Sequence, residues 1–277
     1  MPGTLYVVAT PIGNLADISP RALQTLREAA WIACEDTRQT RKLLEHYAIA
    51  ARTVSYHEHN EAERSEELLA RLEAGESVAL VSDAGTPLIS DPGYRLVKKA
   101  AGRGIPVVPI PGPAAVIAAL CASGLATDRF YFGGFLPRKS GERRRLLEQL
   151  RGLDATLVFY EAPHRLKETL RDVEAALGPR PVVVAREVTK VHEEFLRGTP
   201  GQILAELDSR GEVRGEVTLL IGRAEAAEPA EASGEQLREE VLRLEQAGVA
   251  RMEAIKRVAR ERRLPKRTVY RAVEEHR

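Results

Sequence analysis

Short β-branched runs alternate with amphipathic helical spacing along roughly the first 112 residues, and this alternation narrows the possible folds more than any other feature of the chain. Leu5 to Ala9, Trp31 to Cys34, Thr53 to Tyr56, Val78 to Val81 and Val107 to Ile110 are apolar enough to be strands buried on both faces. Strands that alternate with helices pair in parallel, because each helix supplies the crossover a parallel neighbour needs. The helix ends are legible too. Ser19-Pro20 precedes a helical pattern over Arg21 to Ala29, with a capping hydroxyl and a proline suited to the first turn. Asn60 precedes Glu61 to Glu73, which stops at Gly75. The pattern predicts a mostly parallel sheet covered on both sides.

Pro111-Gly112-Pro113 opens an Ala-rich helix over Ala114 to Ser123, and the strand pattern then restarts at Phe130 to Phe135, Thr156 to Tyr160, Val182 to Arg186, Phe195 to Gly198 and Val217 to Ile221. A second α/β or α+β domain is expected from this restart. Residues 224–234 hold Ala, Glu, Pro, Ser and Gly with almost nothing to bury, which reads as a linker. Beyond it, three helical stripes (Leu237, Val241 and Leu244; Ala254, Ile255, Val258 and Ala259; Val269, Tyr270 and Val273) predict a helix-turn-helix-like module. The expected division is 1–113 and 114–223 for the α/β domains, 224–234 for the linker and 235–277 for the helical module.

Charge separates global from local attraction. The 277 residues carry a net charge of +1, so no overall field draws the chain to nucleic acid or membrane. From Arg251 to Arg277, however, ten Lys or Arg stand against four Glu, with Lys266, Arg267 and Arg271 around the last helix. That local excess suits nucleic-acid contact. Cys34 and Cys121 lie in apolar segments without metal-ligand or redox spacing, and no eighteen-residue uncharged apolar run occurs. A soluble, cytoplasmic protein is expected, with no membrane partner. His57 and His59 are two apart, but no third ligand is visible, so no metal is expected.

The chemistry-bearing residues fall at strand ends. Val78 to Val81 runs into Ser82-Asp83-Ala84-Gly85-Thr86-Pro87-Leu88-Ile89-Ser90-Asp91-Pro92-Gly93, a loop whose free N–H groups and carboxylates suit a polar small molecule with a hydroxylated sugar. The first strand ends in Thr10-Pro11-Ile12-Gly13-Asn14-Leu15, which would sit at the same sheet edge. Neither is a dinucleotide fingerprint or a Walker loop, which argues against nicotinamide and ATP. Glu35-Asp36-Thr37-Arg38 crowds another strand-to-helix junction, while Tyr160 to Arg165 and Arg186 to Lys190 leave two strand ends of the second domain polar. If the two sheets face each other, all of these border one cleft.

Taken in order, Ala9 to Leu15, Cys34 to Arg38, Ser82 to Gly93, Pro111 to Ala115, Phe159 to Arg165 and Arg186 to Lys190 closely resemble the RsmI family of the tetrapyrrole-methylase class, over essentially the whole chain. The resemblance implies two α/β domains of that type with the cofactor S-adenosylmethionine in the cleft between them, a homodimer, and 2′-O-methylation of a cytidine in the decoding centre of 16S rRNA, with the rRNA met in the small ribosomal subunit. By motif it implies cofactor contacts at Pro11, Asp83, Gly85, Thr86, Pro87, Ala114, Ala115, Tyr160, Glu161 and Ala185. A ribose hydroxyl is a weak nucleophile, so a base or a nearby cation should help. Asp36 and Glu187 are the expected bases, with Lys190 and Arg38 stabilising the alkoxide or a phosphate. Arg143 and Arg144, in the basic run after Pro137, are expected to hold RNA together with Lys266, Arg267 and Arg271. Two rivals stay open: a tetrapyrrole methyltransferase of the parent class, and a nucleic-acid-binding regulator that senses a small molecule.

Overall fold

The computed structural model describes residues 1–224, 233–262 and 264–274. Two compact units divide the chain, Met1–Arg223 and Ala224–Arg277. The first unit holds two five-stranded sheets.

The first sheet consists of β1 (Leu5–Val8), β2 (Trp31–Cys34), β3 (Thr53–Ser55), β4 (Val78–Val81) and β5 (Val107–Ile110), in the order β3-β2-β4-β1-β5. All its pairings are parallel, as the alternation predicts. Helices α1 (Pro20–Glu28) and α2 (Thr37–His46) cover one face, and α3 (Glu61–Glu73) and α4 (Tyr94–Gly102) the other. Side-chain alternation decides which residue faces which layer. Val8, Ile32, Cys34 and Val81 pack on Leu26 and Leu44, whereas Leu5, Ala33, Val78 and Leu80 pack on Leu68, Leu72 and Leu96. Ser19 caps α1, its hydroxyl accepting the Ala22 N–H at 3.1 Å. From the adjacent strands β1 and β4 the chain departs toward opposite edges, β1 to β2 and β4 to β5. Such a switch point leaves a crevice at the carboxyl ends of the strands.

The second sheet has β6 (Phe130–Phe135), β7 (Thr156–Glu161), β8 (Val182–Arg186), β9 (Glu194–Gly198) and β10 (Val217–Ile221), ordered β6-β7-β10-β8-β9. Only β6 and β7 run parallel; the other three pairings are antiparallel, so this half is mixed. Helix α5 (Ala115–Ser123) lies on one face through Val116, Ala119 and Leu120, over Val158, Val183 and Leu220. Helices α6 (Ser140–Leu150), α7 (Leu166–Leu177) and α8 (Pro200–Arg210) fill the other with Leu147, Leu170, Val173 and Leu207.

Arg143 departs from its sequence-based assignment. Its side chain is fully buried, and the guanidinium donates from Nε to Asp172 Oδ2 at 2.7 Å and from Nη1 to the Pro137 carbonyl at 3.2 Å. It ties α6 to α7 and turns away from any RNA. Arg144 is half exposed and reaches the same carboxylate. Burial pushes the Asp172 carboxyl up, but the hydrogen bonds from Arg144, Ser140 and Arg143 outweigh it and hold it below the usual range. A basic run read from sequence looks like a surface, because its counter-charge lies far along the chain.

The second unit comprises α9 (Gly234–Gln246), α10 (Arg251–Glu261) and α11 (Lys266–Glu274). They share a core of Leu237, Val241, Ile255, Val258, Val269 and Val273. A capping box between Ser233 and Gln236 starts α9. Lys266, Arg267 and Arg271 stand exposed on α11. Most of the expected 224–234 linker, residues 225–232, lies outside the described residues. Among the described residues no cluster of three or more His, Cys, Asp or Glu is placed to hold a metal ion, and no helix is long and apolar enough to cross a membrane.

Replacing Asp172 by Asn leaves the buried Arg143 charge with only the half-exposed Glu168, 3.1 Å away, as counter-ion, a loss of up to about 3–5 kcal/mol for a broken buried pair. Urea unfolding followed by tryptophan fluorescence and circular dichroism should show the midpoint falling accordingly. The double variant Arg143→Met, Asp172→Leu should recover most of the loss.

Candidate active site

The loops after β1 and β4 are tied to each other across the switch point. The Thr10 N–H donates to the Gly85 carbonyl at 2.8 Å, and the Gly85 N–H returns to the Thr10 carbonyl at 3.1 Å. The Thr10 hydroxyl, 1% exposed, donates to the Ser82 carbonyl at 3.2 Å. Further along, the Thr86 hydroxyl donates to the Pro113 carbonyl at 3.0 Å and binds the loop to the entry of α5. Leu88 and Ser90 hold positive φ of 73° and 68° in this loop. Such backbone in residues with a Cβ costs of order 1–3 kcal/mol each and persists where the surroundings over-determine it.

A second strained turn faces it from the other sheet. Glu187 and Thr189 have φ of 52° and 69° just past β8. The Glu187 carboxylate accepts from Lys190 Nζ at 2.9 Å and from the Glu216 N–H at 2.8 Å, and Lys190 also pairs with Glu216 at 3.1 Å. Gly13 makes room for this ion pair: a Cβ built there would lie 2.3 Å from the Lys190 Cγ. The turn after β1 therefore rests against the Lys190 side chain.

Two neighbouring cavities result. The first, about 310 Å³, is bordered by Gly85, Thr86, Asp91, Ala114, Ala115, Tyr160, Glu161, Ala185 and Thr218, among others. The second, about 380 Å³, is bordered by Pro11, Gln39, Lys42, Ser82, Asp83 and Lys190. Ile12, Ala84 and Glu216 belong to both, forming a shared wall. Small residues let a ligand approach the main chain of the first cavity closely. The second offers ammonium groups and a carboxylate.

Of the residues expected at the site, Gly85, Thr86, Ala114, Ala115, Tyr160, Glu161 and Ala185 border the first cavity, and Pro11, Asp83 and Lys190 the second. The Glu161 side chain is turned inward, where its oxygens accept from Arg165, from the Ala162 N–H at 2.7 Å and from the Thr169 hydroxyl at 2.6 Å. Pro87, Asp36, Arg38 and Glu187 border neither cavity. Asp36 instead caps α2, accepting the Arg38 N–H at 2.8 Å, and the Arg38 guanidinium hydrogen bond holds its carboxyl down at about 2. Burial pushes the Glu187 carboxyl up, but the Lys190 and Glu216 hydrogen bonds bring it below the usual range. Both expected bases are thus committed to local structure. The partners Arg38 and Lys190 stand two and three residues further along in the same motifs.

The sequence reading includes Ser90 and Asp91 only as members of the Ser82 to Gly93 ligand loop and passes over Thr218, Gln39 and Lys42. Asp91 had a visible signal as the second acid of the Ser82 to Gly93 motif. Burial, Glu35 and Asp83 push its carboxyl up to about 6, against the pull of a Ser82 hydrogen bond. Lys42 and Gln39 lie on α2, where helix spacing alone reads as a solvated face.

Residues 4–204 match the model of the tetrapyrrole (corrin/porphyrin) methylases, and the chain belongs to that family. Solved structures agree on the fold: a diphthine synthase aligns with a TM-score of 0.61 at 17% identity, over 79% of this chain and 90% of that one. A cobalt precorrin-4 methyltransferase aligns with a TM-score of 0.59 at 19% identity, over 79% and 94%. Within the family, the chain is a member of the ribosomal RNA small subunit methyltransferase I group. It is 51% identical over 271 residues to the protein of that name from Halalkalibacterium halodurans, covering 97% of this chain and 93% of the relative. The Synechocystis protein of the same name is 49% identical over 269 residues, covering 97% and 96%.

Adding a methyl group at residue 13 tests the contact between the two halves. Gly13→Ala should lower the thermal midpoint in the parent chain and do much less when Lys190 is already Ala, with a coupling of about 1 kcal/mol between the two changes. Additive effects in this double-mutant cycle would show that Lys190 does not rest on Gly13.

Proposed function

We propose that the chain transfers the methyl group of S-adenosylmethionine to the 2′-oxygen of a cytidine ribose in 16S rRNA, in the cytoplasm and on the small ribosomal subunit. The observation that supports this most directly is the pair of cavities sharing one wall, one edged by small residues and main chain, the other by lysines. The relatives' name supplies the ribosomal RNA. Their identity of about half over nearly the whole chain favours this reading over a porphyrin substrate.

The first cavity fits the cofactor. Its volume is in the range of small-molecule sites. Gly85, Ala114, Ala115 and Ala185 would let adenine and sugar lie against the backbone, and no Lys or Arg borders it. When bound, S-adenosylmethionine supplies a methyl already activated on a positively charged sulfur. What remains for the chain is to place the ribose oxygen and to take its proton. Asp83 is the proton acceptor in this reading: it edges the second cavity beside the shared wall, and its Oδ1 accepts the Asp36 N–H at 3.0 Å, which fixes the carboxylate. Asp36 thereby orients the acceptor and does not itself act as base. Lys190 faces the same cavity with its ammonium held by Glu187 and Glu216, suited to stabilising developing negative charge on oxygen. Lys42 would meet a phosphate. Asp83 would take the hydroxyl proton as the ribose oxygen accepts the methyl group, with the thioether as leaving group.

Outside the cavities, Arg144 and the exposed Lys266, Arg267 and Arg271 are the RNA contacts we retain. The edge strand β6 leaves Phe130 and Phe135 42% and 61% exposed, and we assign this apolar edge to a homodimer face.

The deciding experiment incubates the chain with labelled S-adenosylmethionine and small subunits lacking the modification, then identifies the labelled nucleoside by mass spectrometry. Label on a cytidine ribose is expected; label on a base would overturn the substrate assignment. In the same assay Asp83→Asn should lower kcat by roughly 10²–10⁴, the usual contribution of general base catalysis. Deleting residues 235–277 should weaken subunit binding and leave cofactor affinity, read by calorimetry, unchanged. Equal affinity of the truncated chain for the subunit would remove the helical module from the RNA interface.

A further inference from the structure

The ionised side chains around the first cavity are all of one sign. Asp91, Glu161 and Glu216 border it, and among the described residues no Lys, Arg or His does. Two of the three carboxylates are answered locally, Glu161 by Arg165 and Thr169, Glu216 by Lys190. Asp91 forms no ion pair among the described residues; the neighbouring Ser82 hydroxyl donates to the Ala84 and Gly85 carbonyls, and the charged groups that act on Asp91 are acids, Glu35 just past β2 and Asp83 on its own loop. Tyr160 faces it from β7, its phenol pushed up by burial and by the Asp91 charge. His57, from the segment after β3, acts on Glu35, whose carboxyl it draws down against burial and the neighbouring acids.

A half-buried carboxylate among other carboxylates is costly in the empty cavity, and a cationic ligand relieves that cost where a neutral one of the same shape does not. We infer that Asp91 makes the first cavity selective for positive charge, so that it holds a sulfonium more tightly than the thioether left after methyl transfer. The inference rests on the reading of this cavity as the S-adenosylmethionine site. S-Adenosylmethionine and S-adenosylhomocysteine share the adenosine, the α-amino group and the carboxylate, and differ at sulfur by a methyl and one positive charge. Loss of that charge in the reaction weakens the attraction to Asp91, and the product is released toward solvent. The chemistry and the exchange of cofactor for product are thereby coupled through one side chain.

Burial sets the pH at which this selectivity fails. With the carboxyl raised to about 6, Asp91 is ionised at neutral pH and takes up a proton as pH falls through that value, first in the ligand-free chain. Preference for the sulfonium is therefore present above about pH 6 and fades below it.

Calorimetric titration of the full chain with S-adenosylmethionine, S-adenosylhomocysteine and sinefungin, whose amine carries a positive charge near the position of the methyl, tests the inference without turnover. At pH 7.5 the parent chain should bind the two cationic ligands about tenfold or more tightly than the thioether, a modest ratio for one partly screened charge pair. Asp91→Asn should bring all three affinities within about twofold, chiefly by weakening the cations. In the parent chain the ratio should shrink toward one between pH 7.5 and pH 5.5, a readout that does not depend on the variant folding. A ratio that survives both Asp91→Asn and acid pH would overturn the role of Asp91. Failure of the parent chain to bind any of the three ligands would instead overturn the assignment of the cavity, and the inference with it.

Discussion

Two main-chain hydrogen bonds between Thr10 and Gly85 hold the site together. They join the loops that leave β1 and β4, the adjacent strands from which the chain departs in opposite directions. A parallel sheet always opens a crevice at such a place; whether the crevice has fixed walls depends on what spans it. Here Ile12 and Ala84, each within two residues of a bonded pair, are held as the partition between two cavities. In the proposed function this partition would keep methyl donor and acceptor in separate pockets that meet at one edge, as transfer between them demands.

Charge is distributed about that partition unevenly. The ammonium groups of Lys42 and Lys190 border the second cavity, and the first has carboxylates alone. Glu216 borders both and pairs with Lys190, so the second cavity mixes the two lysines with Asp83 and Glu216 while the first has acids only among its described charged residues. In the proposed function the lysines would favour a polyanion on one side of the wall, and the acids a sulfonium on the other. Net charge of +1 conceals this arrangement entirely, since it is a matter of placement and not of number.

Much of the fold could be read from the chain because its signals are local. The parallel order of the first sheet follows from strands alternating with helices, and Ser19-Pro20 marks the start of α1 within one residue. The small-residue positions of the site, Gly85, Ala114, Ala115 and Ala185, were legible through motif resemblance, and they border the first cavity. Less legible is which partner a charged side chain takes in the folded chain. Arg143 looked like part of a basic surface because Asp172, which buries it, lies 29 residues away on another helix. Asp36 and Glu187 looked like reactive acids at strand ends, but one is consumed by capping α2 and the other by Lys190 and a main-chain N–H. No periodicity reports how many of its acceptor positions a carboxylate has already filled. The mixed order of the second sheet was equally hidden, since hydrophobic runs do not record strand direction.

Leu88 and Ser90 on one side of the cavities, and Glu187 and Thr189 on the other, adopt left-handed backbone that an unfolded chain seldom visits. A loop with this geometry has no easy relaxed alternative near its native shape, so it is moulded while the sheets assemble and stays moulded afterwards. The conformational entropy of ordering the walls is accordingly lost once per folding event and not once per catalytic cycle. On these walls the waiting state and the working state are nearly the same shape.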